Sequence, residues 1–158
     1  MTADEWREGA AELRAKRPRH ILFLCRANSA RSQLAEGIAR SMAPEGVRIS
    51  SAGAFAYRVD PLAIRALAEA GIDASGQTSK AVDDIDTSDV DAVITLCAEQ
   101  VCPVFLGRAL RLHWVFDDPT SAGADDESRL RAFREVRDEI RRRLEFAFEG
   151  WSGTTAKR

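Results

Sequence analysis

No stretch of this 158-residue sequence is apolar for more than a few residues, so none reads as a bilayer-spanning segment. Net positive charge is also missing: 23 lysines and arginines against 25 aspartates and glutamates leave a formal charge of −2. That argues against a nucleic-acid partner, which usually needs a broad basic field. The Arg141-Arg142-Arg143 run is most simply the solvated end of a helix. The opening MTADEWREGAAELRAKRPRH mixes acids with arginines and lacks the apolar centre of a signal peptide, so the expected location is cytoplasmic, with no membrane partner. Internal repeats are absent. Cysteine is scarce, and the three present, Cys25, Cys97 and Cys102, are an odd number. In a reducing compartment such cysteines point to catalysis, redox chemistry or metal binding rather than structural disulfides. With His113 they raise the possibility of a zinc- or arsenite-binding module, but Cys97-x4-Cys102 supplies only one half of a tetrahedral zinc site.

What is present is globular. The chain is 45% hydrophobic and 30% charged, enough for one domain with a substantial core. Residues 3–16 read as an amphipathic helix ended by Pro18, followed by an apolar strand from Arg19 to Leu24. Leu34, Ile38 and Met42 recur every four residues, which predicts a helix from Ser32 to Ala43. A short strand over Val47–Ser51 leads to a loop opened by Ala52-Gly53. Asp60-Pro61 begins a helix that Gly71 ends. Residues 71–86 read as loop. Val90–Leu96 and Leu110–Phe116 are predicted strands, and a long last helix starts near residues 125–127. Alternating strands and helices imply a three-layer α/β/α fold with a four-stranded parallel sheet. Ligands of such sheets gather at the carboxyl ends of the strands, and Cys25, Cys97 and Asp118 each follow the end of a predicted strand.

The most informative stretch is LCRANSARSQLAEG, Leu24 to Gly37. A loop between a strand and a helix N-terminus can turn several backbone N–H groups inward around a tetrahedral oxyanion. Arg26, Ala27, Asn28, Ser29, Ala30 and Arg31 would form that cradle, with the Arg31 guanidinium gripping two oxygens at once. The same donors favour thiolate over thiol at Cys25, and Ser32 can add a further hydrogen bond. The result is a nucleophile beneath a bound oxyanion.

C-x5-R-S after a first strand resembles the low-molecular-weight tyrosine phosphatases. With ISSAG, GIDASGQTSK, DAVITLC, Cys102-Pro103 and HWVFDDP, the chain is similar to the thioredoxin-coupled arsenate reductases of that fold. The resemblance implies that Cys25 attacks arsenate, that Arg31 holds it, that Ser32 supports the thiolate and that Asp118 protonates the leaving oxygen. It further implies that Cys97 attacks the Cys25 adduct and releases arsenite, and that Cys102 then forms a disulfide with Cys97 for thioredoxin to reduce. No tightly bound cofactor is implied; glutathione or mycothiol are the alternative reductants, and a monomer is expected.

Several positions depart from the pattern. Ala27 replaces a glycine common in the wider fold and is expected to hold a strained backbone angle. Some relatives bind potassium beside the loop through residues matching Asn28, Glu36 and Ser51 and an acid where this chain has Lys80. A lysine there argues against a cation site, either by supplying the charge itself or, more ordinarily, by standing solvated at the surface. Were residues 97–102 helical, the cysteine Cα atoms would lie about 8–9 Å apart. A disulfide needs about 7 Å or less, so oxidation would have to rearrange that segment. The nearest rival is a phosphatase acting through a Cys25 phosphocysteine, with Phe55 and Tyr57 flanking an aryl ring. In outline, residues 1–18 form an N-terminal helical extension, 19–150 one catalytic α/β domain, and 151–158 a flexible tail.

Overall fold

The computed structural model describes residues 5–97 and 108–151. Four parallel strands form one sheet: β1 (His20–Cys25), β2 (Arg48–Gly53), β3 (Ala92–Cys97) and β4 (Leu110–Phe116), in the order β2-β1-β3-β4. The central strands are apolar on both faces. Ile21 and Phe23 of β1 point into the main core, while Leu22 and Leu24 point into a smaller one with Ala52, Val90 and Val93. β4 is an edge strand and its sequence alternates accordingly: Leu112, Trp114 and Phe116 are buried, and Arg111, His113 and Val115 are exposed. His113 hydrogen-bonds Thr95 across the β3–β4 pair. His20 is buried, with its two ring nitrogens 2.8 Å from an Asp89 carboxylate oxygen and 2.7 Å from the Ser50 hydroxyl.

The helices are α1 (Glu5–Lys16), α2 (Arg31–Met42), α3 (Pro61–Glu69) and α4 (Asp126–Phe148). α3 shows how local sequence sets both ends. The Asp60 carboxylate accepts the Leu62 N–H at 2.8 Å and Pro61 occupies the first turn. At the other end Gly71, at φ +81°, lets the N–H groups of Gly71 and Ile72 reach the carbonyls of Ala68 and Leu67 at 3.0 and 2.9 Å. Asp125 likewise caps α4 through the Ser128 N–H at 2.8 Å. The helices pack together over one face of the sheet, and the other face is met by Val82, Ile85 and Ala109, which completes the three-layer α/β/α arrangement.

Both ends of the described chain are built into this core. Trp6, Ala10 and Leu13 of α1 share one buried cluster with Trp114 and Leu144, and Trp6 meets Phe146 edge-on at 5.5 Å. Trp151, the first residue of the expected tail, is only 3% exposed and stacks edge-on with Phe148 at 5.2 Å. Strand bounds differ slightly from expectation. β2 runs on to Gly53 because its pairing with β1 continues up to Cys25, and Gly53 also bridges to Ala81. The chain moves outward from β1 to β2 on one side and from β3 to β4 on the other. That reversal puts a crevice at the carboxyl ends of β1 and β3.

Candidate active site

Cys25 closes β1 at the mouth of this crevice and is 2% exposed. Residues 26–30 form the loop that returns to α2, whose N-cap, Ala30, has no side-chain oxygen to spend on the first-turn N–H groups. That leaves the positive end of the helix available to an anion. The backbone strain falls on Asn28 (φ +49°), not on Ala27, which keeps φ out of the left-handed region. Asparagine tolerates that region better than most residues. Gly53 lies beneath the loop: a Cβ there would stand 2.6 Å from the Asn28 nitrogen and 2.7 Å from the Arg26 carbonyl oxygen.

A buried hydrogen-bond network fixes the loop from behind. The Asn28 carboxamide N–H2 donates to the Ser32 hydroxyl at 2.7 Å and the Ser51 hydroxyl at 2.9 Å, and its oxygen accepts the Lys80 backbone N–H at 2.8 Å. The Ser51 hydroxyl donates to Glu36 at 2.5 Å, and Ser32 Oγ lies 2.8 Å from Cys25 Sγ. Gln33 donates to the carbonyls of Asn28 and Thr78, both at 2.9 Å, and Gln77 donates back to Gln33. The Ser79 hydroxyl reaches the Ala27 carbonyl at 3.0 Å. The segment Gln77–Lys80 is thus a strut for the loop.

Arg31 is buried beside the thiol, its Nη1 donating to the Phe116 carbonyl at 3.1 Å and its Nη2 3.8 Å from Asp118 Oδ2. Asp118 does double duty. Its Oδ1 accepts the Thr120 N–H at 3.0 Å and hydroxyl at 2.7 Å, capping the short 3-10 turn Pro119–Ser121, while Oδ2 turns toward Arg31. A cavity of about 370 Å³ brings together Cys25, Arg26, Ala27, Ser29, Ala30, Arg31 and Asp118, with Phe55, Tyr57, Asp60 and Thr120 completing its wall. Asn28 and Ser32 do not line it but stand behind it. Asp117 is not among the lining residues.

Cys97 ends β3 on the same side of the sheet, fully buried and paired in register with Phe116 across a bulge between Thr95 and Cys97. It is outside the cavity wall. Cys102 and the segment between it and Cys97, on which the expected redox rearrangement rests, lie outside the described residues. Sequence reasoning missed Asp60 and Thr120 as wall residues, since each reads as part of a turn or cap, and missed Gly53 as the floor of the loop.

The donor set expected for potassium is already spent. The Asn28 oxygen accepts the Lys80 N–H, Ser51 is engaged at Asn28 and Glu36, and the Lys80 ammonium stands 3.8 Å from Glu36 Oε1. These residues do not fit an added cation. Lys80 is not a solvated surface side chain: it is 27% exposed, and burial holds its pKa below the usual lysine value, with Glu36 opposing and Arg40 adding to that shift.

Residues 20–150 match the family described as low molecular weight phosphotyrosine protein phosphatase. The arsenate reductase of Halalkalibacterium halodurans is 44% identical over 126 residues, 78% of this chain and 91% of that protein. A solved arsenate reductase in its oxidized state superposes with a TM-score of 0.70 at 32% identity, over 83% of this chain and 97% of the other. A thioredoxin-dependent arsenate reductase of Corynebacterium glutamicum covers 96% of this chain and 71% of its own length, with 27% identity and a TM-score of 0.63. The chain therefore belongs to the low-molecular-weight phosphotyrosine phosphatase family and, within it, to the arsenate reductases.

Proposed function

We propose that the protein reduces arsenate to arsenite through a relay of its three cysteines, with thioredoxin as the external reductant. The observation that carries this reading is Cys25 Sγ at the base of an anion cradle, with the Arg31 guanidinium and the Asp118 carboxylate converging from two other elements. The Cys25 thiolate attacks arsenic, and Asp118 gives a proton to the departing oxygen, which leaves as water. The Cys97 thiolate then attacks the Cys25 sulfur. The S–As electron pair goes to arsenic, As(V) becomes As(III), and arsenite leaves behind a Cys25–Cys97 disulfide. Cys102 attacks Cys97, which frees Cys25 and forms Cys97–Cys102. A dithiol from thioredoxin supplies the two electrons that restore the starting state. The same reading makes the protein a cytoplasmic monomer that takes a small oxyanion as its substrate.

The test is arsenate-dependent turnover of wild type and of Cys25→Ser, Cys97→Ser and Cys102→Ser, with thioredoxin and its reductase or with glutathione and mycothiol. All three variants are expected to lose multiple turnover. Loss in Cys25→Ser alone would overturn the relay, and turnover with a small thiol only would replace thioredoxin. One observation favours a second reading: Phe55 and Tyr57 are 45% and 67% exposed at the cavity mouth, and Arg26 lies 5.9 Å above the Phe55 ring. That rim suits an aryl phosphate. Turnover of an aryl phosphate faster than of arsenate would make the phosphatase the better description.

A further inference from the structure

The two carboxyl oxygens of Asp118 have different surroundings, and the hydrogen bonds around them decide which one can carry a proton. Asp118 follows β4 and precedes Pro119, with φ −70° and ψ 112°, the extended backbone that a following proline favours. Pro119 has no N–H, so the first main-chain donor that the side chain meets in the turn is that of Thr120. It reaches Oδ1 at 3.0 Å, and the Asp118 carbonyl closes the turn by accepting the Ser121 N–H at 3.2 Å. The side chain is thus held in place at the cavity wall, which Asp118 and Thr120 share.

A carboxyl oxygen has two lone pairs. The Thr120 N–H takes one of those on Oδ1, a bond that any residue except proline could make. The other is taken by the Thr120 hydroxyl, which donates at 2.7 Å and has no other acceptor among the described residues. Main chain alone would leave Oδ1 half open; the hydroxyl closes it. Oδ2 accepts no hydrogen bond from the described residues and turns toward Arg31, whose Nη2 stands 3.8 Å away. With the proton on Oδ2, Oδ1 is a carbonyl oxygen that accepts both donors, and after the proton leaves it accepts the same two. The turn therefore needs no rearrangement when the proton moves.

We infer that Thr120 is a positioning residue: its hydroxyl fills the second lone pair of Asp118 Oδ1 and so places the transferable proton on Oδ2, the oxygen that faces Arg31. This rests on the acid role proposed for Asp118. In that step the Cys25 sulfur bonds to arsenic, an As–O bond breaks, and the Oδ2 proton goes to the departing hydroxide, which leaves as water. The Thr120 hydroxyl and N–H then stabilise the charge left on the carboxylate.

The experiment is single-turnover reduction of arsenate by an excess of the reduced full chain, read as arsenite formed. No external reductant enters it, so the identity of the reductant has no bearing on the result. Thr120→Val keeps the branched shape and the N–H and removes only the hydroxyl. Its limiting rate is expected to fall about three- to tenfold, below the full effect of a donor to a charged acceptor because the Asp118 side chain is 35% exposed. The half-saturating protein concentration should stay within about twofold of wild type, and Thr120→Ser should recover the rate to within about twofold. In an Asp118→Asn background Thr120→Val should change the rate by less than about twofold, since no proton is left to place. A Thr120→Val rate equal to wild type, or a Thr120→Ser rate as low as Thr120→Val, would overturn the inference. So would an equal loss in both backgrounds, which would make Thr120 an independent part of the wall. An Asp118→Asn rate equal to wild type would overturn the acid role and the inference with it. A slow Asp118→Asn beside an unchanged Thr120→Val would leave the acid role standing and overturn the inference alone.

Discussion

Ser32 offers the sharpest test of how the nucleophile is prepared. Ser32→Ala removes the hydroxyl that lies 2.8 Å from Cys25 Sγ and, at the same time, the acceptor of an Asn28 N–H at 2.7 Å. The two losses have separate readouts. A hydrogen bond to a charged acceptor contributes about 1.5–3 kcal/mol, so the thiolate-dependent step should slow about tenfold to 150-fold. The stranded Asn28 donor, fully buried, costs about 1–3 kcal/mol of stability. In a domain of this size each kcal/mol lowers Tm by about 2–4 °C. On the proposed reading the loop and Arg31, which keeps its Phe116 anchor, hold the oxyanion, so KM for arsenate should hardly move. Arsenate turnover with thioredoxin, combined with a thermal melt, reads both effects. A variant within twofold of wild-type kcat would refute the reasoning. A raised KM at unchanged kcat would move Ser32 from thiolate support to substrate binding.

Three other outcomes are expected. Asp118→Asn keeps the Oδ1 cap on Thr120 but has no proton to give, so single-turnover arsenate attack should slow about 10²- to 10⁴-fold; an unchanged rate would remove Asp118 from the acid role. Gly53→Ala forces a Cβ to 2.6 Å from the Asn28 nitrogen, so both denaturant stability, by about 1–3 kcal/mol, and Cys25 alkylation should drop. Glu69 joins α3 to α4 and has its pKa lowered from 4.5 to about 2, chiefly by the Arg134 hydrogen bond against a desolvation penalty, with further help from the charges of Arg134 and Arg137. A carboxylate depressed in the folded state stabilises it above its ordinary range and loses that contribution as pH falls through the folded value. Glu69→Gln should therefore melt below wild type at pH 7, with the two curves converging between about pH 4.5 and 2.

The parts of the fold that were legible in the sequence are those set by nearby residues. β1 and β3 read as apolar runs because both of their faces are covered, and α3 carries its stop and start signals in Asp60, Pro61 and Gly71. Cys25 and Asp118 were legible because each follows the end of a predicted strand and the topology places those ends together, and Arg31 because it stands six residues after Cys25 at the start of the next helix. What escaped is long-range. Gln77, Ser79 and Lys80 sit in a stretch that reads as polar loop, and their partners at Gln33, Ala27 and Asn28 are more than forty positions away. Gly53 reads as a loop opener because only the folded chain shows Arg26 and Asn28 resting on it. The strain expected at Ala27 falls one residue later, where an asparagine accepts it. α1 reads as an extension because its partner surfaces, α4 and β4, belong to the other end of the sequence.

That last pairing has a consequence for how the protein is made. Trp6 packs on Phe146, and the Arg14 guanidinium donates to the Phe146 carbonyl at 2.8 Å across 132 positions. During synthesis α1 emerges well before α4, and its apolar stripe of Trp6, Ala10 and Leu13 is not fully covered until α4 has left the ribosome. The parallel sheet adds its own delay, since every strand pair needs a crossover before it can form. α1 must wait, amphipathic and only partly covered, for α4.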